Sequence, residues 1–597
     1  MKKVILLVMA VCMWYGAAAQ DDGAGQQGGQ NVRRERFGNN EGQNQQNGQG
    51  FPGFGGGGMG FPGGGMGFPG GPFGMFGNMK AINYFGVEFD RTPLKEADPV
   101  VTDINDSTSL YYVESTSFGQ KVKIRYEGNK AVVSGDTENL KIEADGAELK
   151  ITAKKASIEY EVSGKSTSGS LHIKSDYFTK IVLNGVDLKS ESGEAIKVTG
   201  KAPVYLVIAK GSENRLEDKF REVEERQTGP FPMMMGLRKD EPVETEVVNG
   251  ITMKKAVNRS DEKGKSTVDG VISTAGLLAI SGQGSLTLKG HNKNGLKSKG
   301  HMVIRPGNVI HVEVTQGKGL NADGDIRLLG GVLNVDASDA GKDGIRSEES
   351  IYISGGRITV KSSGSDKSEG IEAKYNIQID GGIVEVASFD DAINSGGNLV
   401  INGGKVYAAA VMNDALDANS NLVISGGEIV ALGGSAPECG LDAAEEEGYE
   451  VYITGGTVVA TGGMATRTSK LSTQASVICG LEKLDSAMVF SLEDEEKALL
   501  LFKSPRTYNG GGSIFFSSPE MKAGESYTVC KDNTSETTAS FHGLWTGGKN
   551  NGTEVEIVDM LTMPYSQVGN SRMMGGMPMF GFPGNFEGNQ SADKDEK

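Results

Sequence analysis

The chain has four cysteines, two tryptophans and five histidines in 597 residues. Cys12 lies in the N-terminal apolar run, which leaves Cys439, Cys479 and Cys530. That odd number permits at most one internal disulfide and excludes a disulfide framework, so packing must hold the fold. Cys439 is expected to be buried and reduced. So few histidines leave little room for a His-rich metal centre. Beyond the N-terminus no apolar run reaches the length of a membrane-spanning helix, so no membrane span is expected. Positive charge is also short: 60 Lys+Arg against 77 Asp+Glu give a net charge of -17. With no segregated basic patch, a nucleic-acid partner is not expected. Aromatics are 7% and nothing reads as a long amphipathic helix, which argues against an ordinary helical or doubly wound enzyme.

Glycine is abundant: 88 residues, about twice the usual share of ~7%. The length calls for two to four units or one elongated repeat array. Residues 1–19 read as a secretory signal, with Lys2-Lys3, an apolar run from Val4 to Tyr15, and Gly16-Ala17-Ala18-Ala19 before a cleavage expected after Ala19. The product is then secreted or held at the cell surface. Cys12 lacks the small preceding residue of lipoprotein processing, so no lipid anchor is expected. Residues 20–80, rich in Gly, Gln, Asn, Phe, Met and Pro, offer no period on which to build a core and are expected to be a disordered arm; residues 564–597 repeat that composition as a tail. The arms are solvated tethers or a route to self-association through Phe and Met. Residues 220–265 look like a surface insertion.

Between the arms the apolar residues alternate in short runs punctuated by Gly, Asn and Asp, as in KVKIRYEG and KIVLNGVDLKS. The decisive feature is an internal repeat. Gly-Gly pairs begin at Gly330, Gly355, Gly381, Gly403, Gly426 and Gly455, at steps of 25, 26, 22, 23 and 29 residues. Each pair lies between two short strands. A third strand upstream centres on Leu296, Leu320, Ile345, Ile371, Ile393, Leu416 and Leu441. Three strands per repeat with a Gly corner describe one coil of a parallel β-solenoid. The fold class expected is all-β: a right-handed parallel β-helix over residues 81–480, its hand taken from the crossover rule. Residues 481–563 are expected to form a C-terminal β cap that hides the last open edge.

Alternation makes the residue after each central Ile or Leu point outward. That column reads Lys297, Asn321, Arg346, Glu372, Asn394, Asp417, Asp442; the corner column reads Asn294, Lys318, Asp343, Glu369, Asp391, Asp414, Cys439. In later coils both columns are acidic, and carboxylates about 4.8 Å apart repel unless hydrated, protonated or bridged by a cation. Calcium suits that role, with Asp366, Glu369, Asp390, Asp391, Asn394, Asp414 and Asp417 as candidate ligands. The alternative is that Asp and Asn at tight corners hydrogen-bond the turn backbone.

The stretch from about Lys180 to Gly463 resembles bacterial carbohydrate-binding proteins whose right-handed parallel β-helix is like that of calcium-dependent pectate lyases. The likeness rests on KIVLNGVDLKSESGEAIKV from Lys180, GSENRLED from Gly211, ISGQGSLTLKGHNKNGLKSKGHMVI from Ile280, and the recurring DGI and ISGG rungs at Asp343, Ser354 and Ser425. It implies calcium and polysaccharide binding, pectic or cellulosic. In the lyases a DDGxD-like cluster holds calcium and a nearby lysine takes a proton. Asp390-Asp391-Ala392-Ile393-Asn394 and Asn413-Asp414-Ala415-Leu416-Asp417 match the cluster with one Asn each. The lysine does not carry over, because no Lys, Arg or His stands between Lys405 and Arg467. Lys374 and Arg346, one and two coils upstream of Asn394, suit binding better than base chemistry, as either could pair with a uronate carboxylate or merely offset Glu369 and Glu372. Tyr375 and Tyr407 are candidate sugar-stacking residues. The expectation is a non-catalytic polysaccharide-binding protein; a calcium-dependent lyase and a structural surface rod are the alternatives.

Overall fold

The computed structural model describes residues 118–219, 245–248, 251–254, 269–363, 367–535 and 541–570. The signal, the arm of residues 20–80, residues 81–117, most of the 220–265 insertion and the tail beyond residue 570 lie outside them. The described residues are almost wholly β, with one short 3₁₀ turn at Glu445–Glu447.

Each coil carries three strands, as the repeat requires. First strands stack into a 12-stranded sheet, parallel throughout except for the N-terminal hairpin of Leu140–Asp145 with Glu148–Ala153. Second and third strands share a 23-stranded sheet, because strands such as Leu422–Leu432 and Val451–Gly462 run on through the Gly-Gly corner. The register is the one expected: Leu296, Leu320, Ile345, Ile371, Ile393, Leu416 and Leu441 pair in unbroken succession. All seven are buried. At the corner the second glycine carries the unusual backbone: Gly382 has φ +90°, and a Cβ there would meet the carbonyl oxygen of Gly356 at 2.8 Å. A side chain at this position would push neighbouring coils apart.

Inside the coils, one corner column is matched by volume to the third strand. A Cβ on Gly295, Gly319, Gly344 or Gly370 would lie 2.1–2.2 Å from a Cγ1 of Val312, Val335, Val360 or Val386 respectively. In the next two coils the column changes to Ala392 and Ala415, and the paired third-strand positions become Ala408 and Ala431, all buried. Glycine opposite valine and alanine opposite alanine fill the same space. Gly344→Ala is expected to lower unfolding stability by ~1–3 kcal/mol through overpacking. Adding Val360→Ala should recover part of that loss in denaturant titration; two independent losses that simply add would contradict the pairing.

The C-terminal region does more than hide an edge. Gly512–Ser517 pairs antiparallel with the end of the last coil strand, then with Ser476–Leu481, which in turn pairs with Tyr565–Gly569. The tail boundary expected at residue 564 therefore moves to about residue 570, because Tyr565–Gly569 finds a free strand edge. A separate five-stranded antiparallel sheet, built from Phe490–Glu493, Lys497–Phe502, Tyr527–Lys531, Leu544–Lys549 and Thr553–Val558, lies against the flank of the last coils. Its core, with Phe490, Phe502 and Phe516, is continuous with the outward third-strand residues Ala387, Tyr407, Ala409, Val430, Leu432 and Val459. Arg506 Nη2 donates to the carbonyls of Ala410 and Leu432 at 2.7 and 2.6 Å, tying this region to two coils at once. Cys439, Cys479 and Cys530 are buried and free, as expected for Cys439.

Candidate functional site

First strands place one outward side chain per coil at one strand spacing, so the sequence writes a column of charge along this face. From the N-terminal side it reads Lys150, His172, Lys197, Ser273, Lys297, Asn321, Arg346, Glu372, Asn394, Asp417, Asp442. The early coils are basic or neutral and the late ones acidic.

In the middle coils the two signs meet and cancel. Lys318 pairs with Asp343, and Arg346 reaches Asp343 at 3.5 Å, Glu348 Oε1 at 3.0 Å, and Glu372. Lys374 pairs with the other oxygen of Glu348. Arg346 and Lys374 are thus ion-paired through a shared carboxylate that sequence reasoning passed over. The signal was present: Glu348 stands two residues after Arg346, on the same side of its strand. Arg346 is mostly covered, whereas the Lys374 side chain is 51% exposed.

Beyond Glu372 the acids of these two columns make no ion pair among the described residues, and their oxygens first serve the turns. Asp391 Oδ1 accepts the Asp414 N–H at 2.9 Å, and Asp414 Oδ1 accepts the Cys439 N–H at 2.6 Å. Asn294 plays the same part for Lys318 at 3.0 Å, so the corner column caps each following coil as Asp and Asn do at turns. Asn394 Nδ2 donates to Asp391 Oδ2 at 2.9 Å, and Asn413 Nδ2 to Asp390 Oδ1 at 3.1 Å. Even so, the charges are poorly met. Burial, then the charges of Asp343, Asp391 and Asp390, push the Glu369 carboxyl up to about 8. Burial and neighbouring carboxylates, Asp442 the first of them, raise Asp414 to about 7. Asp442 is likewise pushed up to about 7 by burial and then by Glu445 and Glu446. Asp391 and Asp417 are raised too, by burial first and then by each other's neighbourhood: Asp414 and Asp390 for the former, Asp391, Asp442, Asp414 and Glu369 for the latter. Glu369 Oε2 is buried with no hydrogen-bond partner.

The structure strings Glu369, Asp391, Asp414 and Asp417 from the expected ligand set along successive coils, where they feel one another's charge. The ligand atoms that converge among the described residues form two other groups on this face, Asp343 with Glu369 and Glu372, and Asp414 with Cys439 and Asp442. Asp390 and Asn394 act mainly as hydrogen-bond partners within the cluster. Asp366 lies outside the described residues. Two of the expected sugar-stacking residues part company. Tyr375 is half-buried beside the site. Tyr407 is corrected: it points out of the third strand and is 1% exposed. Its ring stacks on His542 at 3.9 Å between centroids, beneath the C-terminal sheet, where no sugar reaches it. Among the described residues no helix is long and apolar enough to cross a membrane.

Comparison with known proteins bears on the same coils. No curated protein matches in sequence. A solved structure of a polysaccharide lyase-like protein from C. thermocellum, a gadolinium derivative, aligns with 54% of this chain and 96% of that one, at 17% identity and a TM-score of 0.27. The family described as carbohydrate-binding domain-containing protein matches residues 145–231, 242–390 and 310–412. The coils between residues 145 and 412, which carry the basic and central parts of the charged column and the start of its acidic end, thus match the carbohydrate-binding domain family on a parallel β-helix.

Proposed function

We propose that this chain is an exported, non-catalytic polysaccharide-binding protein that holds anionic glycan of the polygalacturonate kind on the acidic coils of its first face. The observation that carries the reading is the run of raised carboxylates at Glu369, Asp391, Asp414, Asp417 and Asp442, in which Arg346 offsets only the first and none of the rest is ion-paired among the described residues. A bare acidic column would repel an acidic glycan. Two places in the run suit a calcium ion: Glu369 with Asp343 and Glu372, where Glu369 has a buried oxygen without a hydrogen-bond partner, and Asp414 with Asp442, all hard oxygen donors. Calcium held there would supply the positive charge through which sugar carboxylates and hydroxyls are bound.

The chain's own residues do the rest. Asp391 and Asp414 fix the corner backbone with one oxygen each, which holds the cluster rigid. Lys374, exposed at the upstream edge, is placed to meet a sugar carboxylate in exchange for Glu348. A lyase would need a free base there, and both nearby cations are held by Glu348. The family match, which runs to residue 412, supports glycan binding by the coils up to and including that of Asp391. Affinity electrophoresis of the full chain in polygalacturonate gels tests the reading: retardation with calcium and none with EDTA is expected, without the ultraviolet absorbance of unsaturated uronate that cleavage would generate.

A further inference from the structure

The third face of the β-helix carries a separate feature. Its outward column reads Arg215, Thr287, His311, Asn334, Thr359, Glu385, Tyr407, Val430, Val459. Towards the C-terminus the column runs under the five-stranded sheet, where His542 Nε2 meets Glu385 Oε1 at 2.8 Å and stacks on Tyr407. Towards the N-terminus it opens. A groove of about 270 Å³ lies there, lined among others by Arg215, Lys289, His311, Glu313, Asn334 and Asp336.

Two properties of this groove point to a ligand. First, it is polar and charge-balanced: two cations, Arg215 and Lys289, stand against Glu313 and Asp336, with Lys289 and Glu313 paired at 2.9 Å. A balanced set of donors and acceptors suits hydroxyl groups, which both donate and accept, and offers a polyanion no net attraction. Second, Asn334 is 5% exposed, bonds His311 Nδ1 through its amide nitrogen at 3.0 Å, and leaves its Oδ1 buried without a partner. An unsatisfied buried acceptor is costly, and the groove is the open side from which a donor can approach this face. Polar groups also recur once per coil, about 4.8 Å apart, close to the advance of one pyranose along an extended glycan. No Trp, Tyr or Phe lines the groove, so recognition would run through hydroxyls and not through stacking on a large ring.

We propose that this groove is a second glycan subsite, independent of calcium, that takes one or two neutral pyranose residues. The proposal rests on the reading of the chain as a glycan binder but not on its acidic site. Neutral glycan runs across the rungs, with Arg215 and Glu313 addressing hydroxyls at the exposed edge and Asn334 at the floor. The size of the groove, at the low end for small-ligand sites, fits a short segment whose affinity grows by contacts elsewhere on the chain.

Calorimetric titration of the full chain in EDTA with hexasaccharides of β-1,4-linked glucose, mannose and xylose tests it. At least one is expected to bind, and Arg215→Ala with Glu313→Ala should weaken that binding about tenfold. Both side chains are exposed, so the thermal midpoint should not move. Calcium-dependent retention by polygalacturonate should be unchanged in this variant. Absence of binding by all three hexasaccharides, or wild-type affinity in the double variant, overturns the subsite. Loss of polygalacturonate retention with hexasaccharide binding intact would count against the calcium reading alone.

Discussion

In EDTA the protein loses stability as the pH rises from about 4 to about 8, and calcium reverses the loss. The acids at the end of the first face are the cause. Their folded pKa values are raised, Glu369 to about 8 and Asp414 and Asp442 to about 7, from 4.5, 3.8 and 3.8. A carboxyl with a raised folded pKa binds its proton more tightly in the native state than in the unfolded chain. Its contribution is therefore fully present below the unfolded pKa and is lost as pH climbs through the folded one. For Asp414 the shift of about three units is worth on the order of 4 kcal/mol, at ~1.4 kcal/mol per unit. A cation that binds only the folded state restores about 2.7 kcal/mol at one hundred times its Kd. Thermal midpoints measured across this pH range with EDTA and with calcium should therefore diverge as the pH rises. Asp391→Asn with Asp414→Asn keeps an Oδ1 acceptor for each corner N–H, as Asn294 already does in its coil. That variant should flatten the profile in EDTA and respond little to calcium. A wild-type midpoint in EDTA that is level across the window would mean the acids are compensated by other means.

The second large effect concerns Tyr407. Its ring fills the junction between the third face and the C-terminal sheet, packed on His542 and continuous with Val430, Leu432 and Phe516. Tyr407→Ala is expected to cost ~3–5 kcal/mol, the range for deleting a buried large aromatic side chain. The readout that separates this role from sugar stacking is glycan affinity. Below the lowered unfolding transition, retention by polygalacturonate with calcium should be that of the wild type. A weakened retention at full stability would return Tyr407 to the binding site.

Asp391, Asp414 and Tyr407 mark how far the sequence could be read. Asp391 and Asp414 were legible because the repeat has a strict phase: once Ile393 and Leu416 point inward, the residues two before them must stand at one corner. The column of Leu and Ile, the glycine corner and the acidic end all follow from that phase. Ion pairs between coils do not, because they depend on side-chain reach and not on period; Glu348, shared by Arg346 and Lys374, is the example. The burial of Tyr407 was legible only in part. The strands KVYAAA, EIVAL and TVVAT are apolar at both alternations, the mark of a strand covered on both faces, whereas RITVKS two coils earlier alternates towards charge. That pattern announces a second layer over the last coils, but not which segment supplies it. The supply came from the region beyond Leu481, whose own strands had been expected only to close the end.

The most direct test of the calcium-dependent glycan site is affinity electrophoresis in polygalacturonate gels, comparing wild type with Asp391→Asn plus Asp414→Asn and with Asp417→Asn. The account predicts retardation of the wild type with calcium, none in EDTA, and loss of retardation in both variants at unchanged folding. Retardation that survives EDTA, or that persists in both variants with calcium present, would contradict it.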